Sequence, residues 1–235
     1  MSDVKPIKII FLDMDGVMNS HQSSYWYRNM LGHSEDEWVD YRKEDTGDEF
    51  STYTKELCPL ACSNLRLIME RHPDARIVIS STWRRGRDPD FFNRLFKHFK
   101  IIKEDRVIGK TPEMATERGY EIQDWLNNFD QPVEEFVILD DDGDMGPYCD
   151  TPQFVQTSCR TGFDYFKMEL VDQLFEGFSL KFEDVKEGPF YKMFGKPRET
   201  NYFRKGDGMF YLHEDGQESD AVYVPSNELF AKVKK

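Results

Sequence analysis

Three short runs along the chain are apolar on both faces, and each ends in polar or acidic residues: "IKIIFL" at 7–12 runs into "DMDG", "ARIVIS" at 75–80 into "STWRR", and "EEFVIL" at 134–139 into "DDDGD". Short apolar runs of this kind read as strands buried on both sides, as in a parallel sheet covered by helices. "QFVQTS" at 153–158 predicts a fourth strand, and Ile101 with Ile102 a further short one. Between them the apolar period changes to three and four. Cys58, Ala61, Cys62, Leu65, Ile68 and Met69 predict a helix over 56–72, and Phe91, Phe92, Leu95 and Phe96 a second. "PEMATERGYEIQDWLNNF" predicts a third, with Pro112 just ahead of its first turn. Residues 166–176 predict a closing helix. Strands alternating with helices argue for a parallel, layered α/β domain.

Two segments depart from this pattern. Residues 19–55 are polar and carry Trp26, Tyr27, Trp38 and Tyr41 without a clear strand, which is long for a connection. They read as an insert or cap with helical pieces. From about residue 181 the period becomes two. "PFYKMF", "TNYFRKG", "GMFYLHE" and "AVYVP" predict short strands joined by "GKPRE", "KGDG" and "EDGQE" turns. The expected division is therefore 1–178 for the α/β core and 179–235 for a small antiparallel β module.

Composition sharpens the picture in one respect, the charge. The 235 residues carry a formal net charge of −13. Residues 181–235 hold ten acids and ten bases, so the whole excess lies in residues 1–180. Such acidity opposes nonspecific attraction to nucleic acid or anionic membrane. No early run has the character of a signal peptide and no apolar span reaches 18 residues, so a cytoplasmic protein is expected. The four cysteines, at 58, 62, 149 and 159, form no C-x-x-C pair. Cys58 and Cys62 share the apolar stripe of their helix and are expected as buried thiols.

The strand ends hold the chemistry. Asp13 and Asp15 leave the first strand one residue apart with Gly16 behind them, and Asp140, Asp141, Asp142 and Asp144 leave the third. Ligands of open α/β sheets sit at that end of the strands. Two like charges about 4 Å apart cost roughly 4 kcal/mol at an effective dielectric of 20, so gathered carboxylates call for a cation or shared protons. A few hard oxygens with room for phosphate suit Mg²⁺. A calcium EF-hand does not fit, since glycine follows at the fourth position of each acidic run and Ser24 and Thr151 stand where a glutamate is needed. At the end of the second strand, Ser80, Ser81, Trp83 and Arg84 offer hydroxyls, loop amides and a guanidinium to a phosphoryl group. Arg118 lies on the inward stripe with Ile122 and Trp125 and supplies the further cation, with Lys110 in "IGKTP" as its rival.

"FLDMDGV", then "IVISSTWR", then a basic residue on a helix, then "VILDDD" resembles the haloacid dehalogenase-like (HAD) hydrolase superfamily. "DGVMNS", "SSTWR", "RGYEIQDWL" and "TGF" are similar to the HAD phosphatase domain of RNA-repair proteins, related to the phosphatase half of polynucleotide kinase-phosphatases. The resemblance covers residues 5–176 and implies a Rossmann-like HAD core. It implies Asp13 as nucleophile, Asp15 as general acid and base, Ser80 on the phosphoryl oxygen, and Arg118 or Lys110 on the developing charge. It further implies Mg²⁺ on Asp13, the carbonyl of Asp15, Asp140 and Asp141. Gly16, Ser81, Trp83 and Arg84 complete the expected substrate contacts.

The expected substrate is a small phosphorylated molecule, foremost a nucleotide or a polynucleotide end, with Trp26, Tyr27 and Trp83 available to stack a base. The basic cluster of Lys192, Lys196, Arg198, Arg204 and Lys205 is a candidate backbone contact. The alternatives are a phosphatase of another phosphometabolite or phosphoprotein, and a HAD-like binding module without catalysis. A receiver-type phosphoacceptor fits less well, since its middle strand would end in aspartate and here ends in Ser80.

Overall fold

The structure is a computed structural model describing residues 5–32, 34, 50, 53, 56–178, 180, 182–187, 189–196, 200–213, 217–224 and 229–232. The chain divides into two compact units, Met1–Met168 and Glu169–Lys235, so the division falls inside the last helix of the α/β pattern rather than after it. Most of the 19–55 stretch, including Trp38 and Tyr41, lies outside the described residues.

In the first unit, β1 (Ile7–Leu12) is the central strand of a five-stranded parallel sheet. β2 (Ala75–Ile79) and β3 (Val107–Lys110) lie on one side, β4 (Val133–Asp140) and β5 (Phe154–Gln156) on the other. The order β3-β2-β1-β4-β5 reverses direction at β1, which opens a crevice at the carboxyl ends of β1 and β4. Among the described residues the helices are α1 (His21–Leu31), α2 (Pro59–Arg71), α3 (Pro89–His98) and α4 (Arg118–Asn127), with α5 (Tyr165–Phe175) running across the division. Ile9, Phe11, Val78 and Ile138 pack with Ile122 of α4, and Trp125 sets its ring edge-on to Phe11. Ile10 and Leu12, on the opposite face of β1, are equally buried, which is why the strand carries no polar alternation. Cys58 and Cys62 are buried free thiols, and burial pushes the Cys62 thiol up to about 12.

The largest shifts from the expected elements, at Ile101 and at Pro112, each have a visible reason. Ile101 and Ile102 are buried but form no strand. Their amides turn back to the carbonyl of Phe96, closing α3 through Lys100 in the left-handed region. The strand starts instead at Val107, where the buried Asn93 side chain takes the amides of Arg106 and Val107 and donates to the carbonyl of Val107. The third helix begins at Arg118, not near Pro112. Asp144 accepts from the amides of Arg118, through its carboxylate, and of Gly119, through its carbonyl. A Cβ on Gly119 would fall on the backbone of Met145, so only glycine permits this approach.

The second unit holds an antiparallel sheet ordered β8-β7-β6-β9, from β6 (Phe190–Met193), β7 (Tyr202–Lys205), β8 (Gly208–Tyr211) and β9 (Phe230–Lys232). The "KGDG" turn joins β7 to β8 as expected. Among the described residues the predicted strand at "AVYVP" makes only an isolated bridge, Val222 to Met209, and the fourth strand is β9. Phe230 secures β9 by being fully buried with Tyr191, Met193, Tyr202 and Met209.

Candidate active site

Strand register assembles the site. Leu12 stands level with Ile79 of β2 and with Leu139 of β4, so the residues that follow, Asp13, Ser80 and Asp140, emerge side by side. The amide of Asp13 donates to the carbonyl of Leu139 at 2.9 Å, and that of Ser80 to Leu12 at 2.9 Å. All three residues are buried, with 7%, 1% and 3% of their surfaces exposed. Asp141 joins them: one carboxylate oxygen each from Asp13, Asp140 and Asp141 lie within 4.8 Å of one another.

Three acids so close, two of them buried, resist ionisation together. Burial raises the Asp13 carboxyl to about 7, against a hydrogen bond from Ser81 and the Arg118 charge, which pull it down. Burial, then the Asp13 charge, raises Asp140 to about 8. Asp141 is raised chiefly by burial and next by Asp142. An all-oxygen set that is costly to ionise unaided is what a hard divalent cation fits, so the donor set suits Mg²⁺. Gly16 makes the cluster geometrically permissible. Its φ is 71°, and a Cβ there would strike the carboxylate of Asp141.

Asp15 is arranged differently: its charge acts on Asp13 and Asp141, but its carboxylate is held by partners of its own. It is exposed, yet Oδ1 accepts from Asn19 Nδ2 at 2.8 Å and Oδ2 accepts from Trp83 Nε1 at 2.9 Å. Asn19 Oδ1 in turn accepts from the amide of Gly16 at 2.9 Å. Sequence reasoning missed Asn19, whose signal was its place four residues after Asp15 in the same turn.

The cations separate. Arg118, in the first turn of α4, brings Nη1 to 3.7 Å from Asp13 Oδ1 and also donates to the carbonyl of Ser80. Lys110 Nζ instead donates to the carbonyls of Arg84 and Arg87, at 3.2 and 2.9 Å. Arg84 lies beneath the site, with its guanidinium on Glu121 at 2.7 Å and on the carbonyls of Ser81 and Pro112. Glu121, also missed from the sequence, is 4% exposed, pairs with Arg84, approaches Arg118 Nε at 3.9 Å and accepts from the amide of Met114. Ser81 accepts from the amide of Trp83, while Ser80 Oγ is buried without a partner among the described residues.

The structure thus brings together Asp13, Asp15, Gly16, Ser80, Ser81, Trp83, Arg118, Asp140 and Asp141, and leaves Lys110 and Arg84 directed at other groups. A cleft of about 280 Å³ opens beside them, lined in part by Asp15, Asn19, His21, Glu56 and Asp141. A second, of about 420 Å³, is lined by Trp26, Cys58 and Leu60, and shares Ser20 with the first. Tyr27 meets Trp26 edge-on at 5.2 Å. In the second unit, Arg204 donates to the carbonyls of Val185 and Gly206 and Lys205 pairs with Glu218. Arg198 lies outside the described residues. Among the described residues no helix is long and apolar enough to cross a membrane.

Comparison with known proteins gives two matches of different weight. Residues 9–165 match the family described as the HAD domain in Swiss Army Knife RNA repair proteins. The HAD domain of the effector protein Lem4 from Legionella pneumophila is similar over 74% of this chain and 95% of that one, at 17% identity and a TM-score of 0.40. No curated protein sequence matches the chain.

Proposed function

Since the chain belongs to the family of HAD domains in Swiss Army Knife RNA repair proteins, a family of HAD-type hydrolases, we propose that it is a phosphomonoesterase working through an aspartyl-phosphate on Asp13. The observation that carries this reading is the register that sets Asp13 beside Ser80 with Arg118 3.7 Å from its carboxylate. A nucleophilic carboxylate, a buried hydroxyl unpartnered among the described residues and a fixed cation are the groups that phosphoryl transfer needs at one point.

The first step forms a bond from an Asp13 oxygen to phosphorus as the bond to the leaving oxygen breaks. Asp15 gives that oxygen its proton. In the second step Asp15 takes a proton from water, the water oxygen bonds phosphorus, and the Asp13–phosphorus bond breaks to release phosphate. Arg118 balances charge on the phosphoryl oxygens, and Ser80 and Ser81 bind them. Arg84 and Glu121 hold the loop and Arg118 in place from below. Asp13, Asp140 and Asp141, with the carbonyl of Asp15, would hold Mg²⁺, which when bound supplies positive charge to the carboxylates and the phosphoryl group alike.

The substrate favoured by this reading is a nucleotide or a polynucleotide terminal phosphate. Support comes from the family's RNA-repair setting and from the Trp26 cleft adjoining the site at Ser20. The net charge of −13 favours a small or terminal substrate over a long duplex footprint. The test is phosphate release with Mg²⁺ from mononucleotides, 3′- and 5′-phosphorylated oligonucleotides, sugar phosphates and phosphopeptides. Preference for the first two groups is expected. Turnover of sugar phosphates or phosphopeptides alone would refute the substrate assignment.

A further inference from the structure

An exposed aspartate side chain ordinarily turns freely in water, yet both oxygens of Asp15 are held by N–H donors from different elements. Asn19 comes from the turn after β1. Trp83 comes from the short 3₁₀ turn Thr82–Arg84 after β2, 68 residues from Asp15. Trp83 is itself held. Its ring lies 5.3 Å from that of Tyr53, its carbonyl accepts from Arg87 Nη1 at 3.0 Å, and Arg87 Nη2 donates to the Tyr53 hydroxyl at 2.8 Å. The indole is therefore fixed on the side of Asp15, and each carboxylate oxygen keeps a lone pair for a proton.

We infer that Trp83, together with Asn19, is a positioning residue that fixes the Asp15 carboxyl for proton delivery to the leaving oxygen of an unactivated alcohol ester. The inference rests on the phosphatase reading above and adds how its general acid is held for an alcohol leaving group. Fixing a general acid within hydrogen-bond reach of the proton's destination is worthwhile only where the leaving group needs the proton. A nitrophenolate departs as a stable anion. An alkoxide such as a sugar hydroxyl's requires protonation as the phosphorus–oxygen bond breaks, the bond pair staying with that oxygen while Asp13 bonds phosphorus. Trp83 acts here through its N–H, so the structure gives the indole a use other than base stacking.

The test compares kcat/KM on benzyl phosphate and p-nitrophenyl phosphate, two esters of similar size and unlike leaving groups, for the full-length protein with Mg²⁺. Asp15→Asn is expected to lose far more on benzyl phosphate. Trp83→Phe, which keeps the ring and removes the donor, is expected to shift the benzyl-to-nitrophenyl ratio the same way by about tenfold, part of the gain a general acid supplies. Asn19→Ala, which removes the other donor, is expected to shift it likewise and serves where Trp83→Phe fails to fold by circular dichroism. A shift for Asp15→Asn alone, with both substrates affected equally in the Trp83 and Asn19 variants, overturns the inference and leaves the phosphatase reading standing. Absence of any shift in Asp15→Asn overturns the proton role and the inference with it.

Discussion

Arg118 reaches the candidate nucleophile and Lys110 does not: Nη1 of Arg118 lies 3.7 Å from Asp13 Oδ1, whereas Nζ of Lys110 is spent on the carbonyls of Arg84 and Arg87. Arg118→Ala should therefore cost far more in kcat than Lys110→Ala. Loss of one preorganised charge contact is worth about 2.7–4 kcal/mol, roughly a hundredfold to a thousandfold. Steady-state kinetics on p-nitrophenyl phosphate decides it, and the reverse ranking would return the role to Lys110.

The carboxylate trio leads to an expectation about metal. Treatment with EDTA should silence the protein, and Mg²⁺ should restore it. Asp140→Ala and Asp141→Ala should each raise the Mg²⁺ concentration for half-maximal activity by at least about tenfold. Turnover indifferent to chelation would remove the metal from the scheme.

The same trio makes the metal-free protein sensitive to pH. Asp13 and Asp140 titrate near 7 and 8 in the fold, above the value of about 3.9 for an unfolded aspartate. Between those values the folded state binds more protons than the unfolded state, so stability falls as pH rises. The contribution is full below about pH 4 and lost by about pH 8, where a bound cation offsets it. Urea midpoints at about pH 5 and pH 8 in EDTA should show this decline, and Asp140→Asn should remove much of it. A variant with an undiminished decline would contradict the assignment.

The core of the site was legible because one rule covers it. A buried parallel strand ends where its apolar run ends, and neighbouring strands end level, so the polar residues after Leu12, Ile79 and Leu139 had to meet. Asn19 and Glu121 followed no such rule. Their partners are chosen by a turn and by a salt bridge spanning 37 residues, which periodicity does not encode. Arg84 follows the Ser-Ser turn, a place that points to phosphate, but burial draws it to Glu121. The strand mistaken at Ile101 shows the same limit, because a helix cap and the Asn93 side chain decided which of two short apolar runs would pair. In the second unit the three-residue β9 carried too little pattern to announce itself.

The covalent role of Asp13 is the claim on which the rest depends, and rapid acid quench of the protein with p-nitrophenyl phosphate and Mg²⁺ tests it directly. Mass spectrometry of the peptide carrying residues 7–20 should find a phosphoryl group on Asp13 that turns over with time. Asp13→Asn, folded by circular dichroism and free of deamidation, should carry no adduct and release no phosphate. Phosphate release by that variant at a rate comparable to the parent protein would contradict the account.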